Sequence, residues 1–251
     1  MKKYLFYHAQ CPDGFGAAWA FYQKFGTTME YLPAFHQQAI PPLPEGAEVF
    51  IADFSFSRSE LLELRKKHPI TLLDHHISAK KNLEGLDFVI FDMNRSGARI
   101  SWDWLFPNQI APLLIQYVED RDLWKFQLPR SHEIHEYISS VEFDFDAWTK
   151  LAQELETDFN RVAELGAFAL KKKKVAIKML CEESGMVEIA GHLVPCVNTP
   201  HLQSEVGHIL LDLYPQAPFS ASWYCNRKNE IVLSFRSRGD FDVSQLAQSF
   251  G

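Results

Sequence analysis

The chain has 251 residues, 47% of them hydrophobic and 23% charged, with a formal net charge of −7 at pH 7. This composition is that of a globular protein with a sizeable core, and it excludes a disordered chain. The acidic balance argues against a protein that wraps long duplex nucleic acid, because such proteins need a broad basic surface. A small anionic substrate stays compatible with it, because a metal ion can supply local positive charge.

Four cysteines, Cys11, Cys181, Cys196 and Cys225, are scattered along the chain without a CxxC pair. This spacing predicts reduced thiols in a cytoplasmic protein, and it indicates neither a disulfide framework nor a zinc knuckle. No stretch approaches the roughly 18 apolar residues of a membrane-spanning helix, so we expect no membrane association.

The first part of the chain alternates short apolar runs with amphipathic stretches, which is typical of parallel α/β units. The predicted strands are Tyr4–Tyr7, Val49–Ala52, Ile70–Leu73 and Phe88–Phe91. The predicted helices are Gly14–Phe25, Ser59–Lys67, Ala98–Phe106 and Ile110–Val118. We therefore expect an α/β domain at residues 1–145, with a parallel sheet and helices on both of its faces.

The composition shifts after residue 145. Residues 146–185 have a long, charged helical pattern and predict a helical connector. Its run Lys171–Lys174 is a solvated face or, as the alternative, a phosphate-attracting patch. Residues 186–251 predict a smaller α+β domain. Its predicted strands and helices are Val187–Ile189, Val194–Val197, Ser204–Leu213 (helix), Phe219–Tyr224, Ile231–Phe235 and Val243–Phe250 (helix).

The residues most suggestive of chemistry lie where the first three predicted strands end. The first strand runs into His8, with Asp13 shortly after it; the second ends at Asp53 and the third at Asp74–His76. Such positions converge on one crevice in an open parallel sheet, and Asp120 is a further contributor. Each residue alone has a structural explanation, such as a turn cap or an ion pair. Two adjacent imidazoles at a strand end, however, need partners.

Histidine and aspartate ligands without thiolate pairs suit Mn²⁺, Mg²⁺ or Fe²⁺ better than structural zinc. Four or five such ligands, including a carboxylate able to bridge, match the needs of a two-metal site. The residues alone thus indicate metal-assisted phosphoester hydrolysis.

Four segments in chain order resemble the motifs of the DHH phosphoesterase superfamily, which is named after its Asp-His-His triplet. They are His8–Gly14, Ala52–Ser55, Leu73–His76 and Val118–Asp120. Two later segments, Asn198–His208 and Ser234–Val243, resemble the associated substrate-binding domain of that superfamily. The resemblance covers nearly the whole chain and is to the oligoribonuclease and nucleotide phosphodiesterase branch.

The resemblance implies a catalytic set of Asp53, His75 and His76. Asp53 would bridge two metals, His75 would be a ligand, Asp74 would support the site from behind, and His76 would face the substrate phosphate. The further metal ligands that it implies are His8, Asp13 and Asp120.

In the second domain, the resemblance implies that Arg236 and Arg238 bind a phosphate or a terminal nucleotide, because a guanidinium matches phosphate geometry. His201 and Ser204 are weaker candidates for the same surface.

Two features depart from the family pattern. Where its first motif usually carries a second aspartate, two residues before Asp13, this sequence has Cys11. The thiol either binds a metal, leaves one metal weakly held or held by a shifted His8, or simply packs as a small residue. The associated domain normally continues with glycines and a histidine where this sequence stops at Phe250-Gly251, so the sequence is either trimmed or altered in its grip on substrate.

The resemblance implies a Mn²⁺-dependent phosphodiesterase that hydrolyses short oligonucleotides or small nucleotides in a cleft between two domains. The alternatives are a nucleotide bisphosphate phosphomonoesterase, a catalytically weakened nucleotide-binding protein and a structural protein with accidental motif matches. The oligomeric state stays open, a homodimer included. Trp102, Trp104 and Trp124 are candidates for a base-stacking surface, although such residues belong more often to the core.

Overall fold

The computed structural model describes residues 2–35 and 38–250. The chain divides into two compact units, Met1–Leu170 and Lys171–Gly251. The expected division at residues 145 and 185 stays a prediction. Within it, the segment assigned to the connector forms two helices, and Trp148 and Leu155 of the first one belong to the core of the first unit.

The first unit is built on a parallel sheet, as expected from its sequence. Its strands are β1 (Lys3–His8), β2 (Met29–Ala34), β3 (Glu48–Ala52), β4 (Ile70–Asp74) and β5 (Val89–Phe91). They pair in the order β2-β1-β3-β4-β5, and every pairing is parallel. Its helices are α1 (Pro12–Phe25), α2 (Arg58–Arg65), α3 (Ile77–Leu83), α4 (Gly97–Leu105), α5 (Leu113–Asp122), α6 (Ser131–Ser140), α7 (Phe145–Thr157) and the start of α8 (Phe159–Glu182).

Alternate residues of the central strand β3 face two separate cores, because successive side chains of a strand point to opposite faces. Phe50 and Ala52 belong to the core that α1, α4, α5 and α7 cover. Val49 and Ile51 belong to the core that contains Leu61 of α2. Helices therefore cover both faces of the sheet, which confirms the predicted arrangement.

The edge strand β2 is absent from the sequence-based prediction. Its sequence places Glu30 and Pro33 among the apolar residues, and Pro33 lacks a backbone N–H. A proline is tolerated here because β2 pairs only with β1, within the described residues, and its other edge needs no ladder donor. Tertiary position therefore outweighs local strand propensity at this site.

The second unit contains a mixed sheet in the order β6-β7-β8-β9. Its strands are β6 (Gly185–Ile189), β7 (His192–Asn198), β8 (Phe219–Cys225) and β9 (Ile231–Ser237), and its later helices are α9 (Gln203–Leu213) and α10 (Val243–Gln248). Only β7 and β8 are parallel among these pairings, so the expected smaller α+β domain is confirmed. Among the described residues, no helix is both long enough and apolar enough to cross a bilayer.

Candidate metal centre

Three neighbouring strands bring polar side chains to one end of the parallel sheet. His8 is the last residue of β1, Asp53 follows β3 directly, and Asp74 is the last residue of β4. Because β1, β3 and β4 are adjacent and parallel, their carboxyl ends meet at the same edge.

Ligand atoms of six side chains form two groups, and within each group these atoms lie within 4.8 Å of one another. The first group is His8, Asp53 and His76, and the second is Asp13, His75 and Asp122. The groups meet where His75 Nε2 lies 3.1 Å from Asp53 Oδ1. We call these six residues the metal centre.

Asp53 occupies the middle of the metal centre in a strained backbone conformation. Its φ of 53° lies in the left-handed region, and its side chain is 1% exposed. Gly97 lies so close that an added Cβ there would approach Asp53 Cβ to 2.5 Å. Such strain persists only where the surrounding structure holds it, and it is often found at functional positions.

The Asp53 carboxylate is ionised and incompletely satisfied. Burial would raise its pKa, but contacts with His75 and His8 outweigh burial and hold the pKa at about 2. Oδ2 is buried and accepts no hydrogen bond from the described residues, while His8 Nδ1 lies 3.4 Å away, within ion-pair range. A buried anionic oxygen that accepts no hydrogen bond suits a cation.

The start of α4 holds the side chain of Asp13, a residue of α1, in place. Its carboxylate oxygens accept hydrogen bonds from the backbone N–H groups of Gly97 (2.6 Å) and Ala98 (2.9 Å), and Oδ2 lies 3.5 Å from His75 Nε2. Burial raises the pKa of Asp13 well above its usual value. The negative charges of Asp53 and, to a smaller extent, Asp122 raise it further. The metal-free centre is therefore short of positive charge, which a divalent cation would provide.

Asp122, which the sequence-based ligand set leaves out, lies in the metal centre. Its Oδ2 is 3.6 Å from His75 Nε2. Burial and then the Asp53 charge raise its pKa. Helix α5 continues to Asp122, four residues beyond its predicted end at Val118, and this extension decides which aspartate faces the centre.

Asp120, which the family resemblance implies as a ligand, lies outside both ligand groups. Its carboxylate accepts hydrogen bonds from the backbone N–H groups of Gln127 and Leu128 and from Ser131 Oγ. Two residues along a helix differ by about 200° in direction, so Asp120 and Asp122 cannot both face the centre. Continued helical periodicity through Glu119–Asp122 is the signal that could have identified Asp122.

Asp74 organises the histidine pair from behind. Its Oδ1 accepts from the backbone N–H of His75 (2.7 Å) and lies 2.7 Å from His76 Nδ1, while Ser55 Oγ donates to Oδ2. The contact with Asp74 is the largest influence on His76 and raises its pKa to about 9. Because Nδ1 is engaged by Asp74, Nε2 is the His76 nitrogen left for a ligand or substrate.

Cys11 lies beside the metal centre as the residue before α1, but it belongs to neither ligand group. Burial, followed by the charges of Asp53 and Asp13, raises the pKa of its thiol to about 12. A neutral thiol is a poor metal ligand. The alternatives of a soft ligand and a packing residue both stay predictions.

A cavity of about 280 Å³ opens beside the first ligand group. Its lining includes His8, Asp53 and His76 on one side, and Ser55 and the α3 residue Asn82 on the other. The metal centre thus adjoins a space with polar and apolar walls, large enough for a small substrate group.

In the second unit, two of the four expected substrate-binding residues contact each other. Arg236 donates from Nη2 to Ser204 Oγ at 2.6 Å, joining β9 to the start of α9. Arg238 is exposed and pairs with Asp212 at 2.6 Å, and His201 is exposed in the turn before α9. Of the four residues, Ser204 and Arg236 are therefore the pair that is joined by a hydrogen bond.

No protein-family model matches the sequence. The uncharacterized protein R106 of Acanthamoeba polyphaga mimivirus is 29% identical in an alignment 271 positions long, which covers 98% of this chain. The chain spans 64% of the length of that relative.

Solved structures also resemble the chain. Exonuclease RecJ bound to manganese matches with a TM-score of 0.55 and 11% identity, over 98% of this chain and 80% of that one. A pGpG-specific phosphodiesterase, PggH of Vibrio cholerae, matches with a TM-score of 0.45 and 13% identity, over 97% and 84%. An uncharacterized protein of Helicobacter pylori G27 has a TM-score of 0.44, 15% identity and coverage of 99% and 89%. At these identities, the RecJ match shows that the chain shares its fold with that exonuclease.

Proposed function

We propose that this protein is a DHH-superfamily phosphodiesterase that uses divalent metal ions, Mn²⁺ first among them, to hydrolyse short oligonucleotides or small nucleotides. The observation that carries the proposal is the Asp53 carboxylate, which is buried and ionised in the first ligand group and contacts His75 of the second. Its Oδ2 accepts no hydrogen bond from the described residues. An anionic centre of this composition matches a two-cation site.

The side chains of the centre have different roles in holding such ions. Asp53 belongs to the first ligand group and contacts His75 of the second, so it would be the residue that both ions share. Asp13 is fixed by two backbone N–H groups, so its carboxylate cannot turn away. Divalent ions held here would lower the pKa of water and neutralise the charge that develops on a phosphoryl group.

His76 is the residue we assign to the substrate phosphate. Its side chain is half-exposed, and Asp74 fixes the ring through Nδ1. With a pKa of about 9, the ring is protonated at neutral pH and can donate a hydrogen bond to a phosphate oxygen through Nε2. Asp74 therefore orients the ring and keeps its proton in place.

The second unit supplies a further phosphate-binding element in this proposal. Arg236 presents a guanidinium that is already oriented by Ser204, and such preorganisation lowers the entropy cost of binding an anion. Arg238 and His201, both exposed, are secondary contributors.

The fold supports the proposal independently of the side chains. RecJ, with which the chain shares its fold, is an exonuclease whose structure contains manganese. Phosphoester hydrolysis on a nucleotide-containing substrate is therefore the activity to test first.

The test is turnover of a 5′-phosphorylated dinucleotide during a Mn²⁺ titration, with Asp53→Asn as the inactive variant. Asp87→Asn, outside both ligand groups, is the matched control. We expect metal-dependent product from the wild type and from Asp87→Asn, and a loss of at least about 100-fold in Asp53→Asn.

Two other results would change the assignment. Hydrolysis of a nucleotide bisphosphate alone would indicate the phosphomonoesterase. Mn²⁺ and nucleotide binding without turnover of either substrate would indicate the weakened binding protein. In that case Cys11→Asp decides whether the thiol is the impairment, because the variant restores the carboxylate that the family usually has.

A further inference from the structure

The loop after α5 displays a stacked group of aromatic and cationic side chains. The Arg121 guanidinium carbon lies 4.1 Å from the ring centroid of Trp124 and 5.6 Å from that of Phe126. Trp124 and Phe126 meet edge to face at 5.2 Å, and His132 stacks on Phe126 at 4.1 Å. We call Arg121, Trp124 and Phe126 the ring platform.

Trp124 is exposed although it is a large aromatic residue in an ordered loop. Of its surface, 47% is accessible. Both Trp124 and Phe126 have left-handed backbone conformations, with φ of 55° and 49°. This conformation is unfavourable for residues with a side chain, so the loop is held in place against a local cost.

Asp120 supplies the restraint. Its backbone carbonyl accepts hydrogen bonds from Lys125 N (2.9 Å) and Phe126 N (3.3 Å), and its buried carboxylate accepts from the residues that follow. The backbone carbonyl and the buried carboxylate of Asp120 thus both hold the loop. Nearly half of the Trp124 surface stays accessible to solvent.

The ring platform is connected to the metal centre along the chain through Asp122. Arg121 and Trp124 flank Asp122, whose carboxylate faces His75. One short segment, 120–126, therefore supplies a candidate ligand and an exposed ring.

We propose that the ring platform binds a nucleobase of the substrate by stacking on Trp124, beside the phosphate at the metal centre. The inference rests on the proposed function and specifies the substrate as one that carries a base next to the scissile phosphate. An exposed indole can stack on any nucleobase, and a guanidinium close to it strengthens such an arrangement. With a net charge of −7, the protein has little general attraction for nucleotides, so ring stacking is the contact suited to hold a short one.

The experiment compares three substrates, namely a 5′-phosphorylated dinucleotide and two analogues that each lack one base. For the wild type with Mn²⁺, we expect KM to rise about ten-fold for one of the analogues. In Trp124→Leu, we expect that difference to disappear, while Trp124→Phe keeps most of it. Trp104→Leu is the matched control, because Trp104 is also exposed but packs on Phe21 and Phe50 of the core, outside the ring platform.

Equal KM values for all three substrates in the wild type would overturn the inference, and so would a base dependence that persists in Trp124→Leu. If circular dichroism shows that Trp124→Leu is unfolded, the inference is judged from the KM values of the three substrates with the wild type and with Trp124→Phe.

Absence of Mn²⁺-dependent hydrolysis of all three substrates would instead contradict the proposed function. The ring platform is then tested by binding of adenosine 5′-monophosphate. Equal affinity in the wild type and Trp124→Leu would overturn it, and a loss of about ten-fold would support it.

Discussion

Asp53 Oδ1 lies 3.1 Å from His75 Nε2, and this contact joins the ends of β3 and β4 at the point where the two ligand groups meet. Both side chains are largely buried, and they stabilise each other's charged forms. Burial lowers the pKa of His75, but the contact with Asp53 outweighs it and raises the pKa overall. In the metal-free protein the histidine therefore partly takes the place of a cation.

We expect Asp122→Asn to make the metal-free protein more stable and its metal binding weaker. Folding raises the Asp122 pKa through burial and the Asp53 charge, so the ionised carboxylate disfavours the folded state at neutral pH. A neutral amide removes that repulsion but is a poorer ligand. Urea unfolding in the presence of a chelator measures the first effect. Calorimetric Mn²⁺ titration measures the second, which we expect to be about 10- to 100-fold.

Asp120→Asn is expected to have the opposite pattern. The Asp120 carboxylate accepts from two backbone N–H groups and a serine hydroxyl. An asparagine would place its own NH₂ group against at least one of these donors, so a hydrogen bond would be lost. We expect a loss of about 1–3 kcal/mol in the free energy of unfolding, with Mn²⁺ affinity changed by less than about three-fold. If Asp120→Asn abolished metal binding in a folded protein, Asp120 would be a ligand, as the family resemblance implies.

This pair of aspartates shows what the sequence could and could not predict. The alternation of apolar runs and the polar residues at His8, Asp53 and Asp74 place the sheet and the edge where ligands meet. The choice between Asp120 and Asp122 depends on the residue at which α5 ends, and the apolar pattern places that end at Val118, four residues too early.

The same limit applies to the missed elements β2, α3 and α6. Strand β2 contains a proline that only an edge position tolerates, and α3 is a short helix of seven residues that begins directly after the histidine pair. Local propensity is a weak guide in such segments, because packing outweighs it.

Mn²⁺ affinity is expected to increase with pH. Protons compete with the cation for Asp13, Asp122 and His75, and in all three the folded protein raises the pKa: burial is the main cause for the carboxylates, and Asp53 for the histidine. Their protonated forms therefore persist to higher pH than usual and are lost as pH rises. We expect affinity to climb from about pH 5 to about pH 8, with protons released on binding.

Calorimetry in buffers of different ionisation enthalpy measures this proton release. Asp122→Asn is the internal control, since removal of one competing group should flatten the dependence on pH. An affinity that is constant across this range would contradict the ligand set.

Gly97→Ala tests whether close approach of α4 shapes the metal centre. An added Cβ at Gly97 would lie 2.5 Å from Asp53 Cβ and 2.8 Å from its Oδ1, and neither backbone can yield easily because Gly97 N also donates to Asp13. We expect a loss of about 1–3 kcal/mol in the free energy of unfolding and a fall in Mn²⁺ affinity, because Asp53 must move. Gly185→Ala is the matched control, as no atom lies within 4 Å of a Cβ placed there. Equal Mn²⁺ affinity in both variants would show that the position of Asp53 does not depend on this contact.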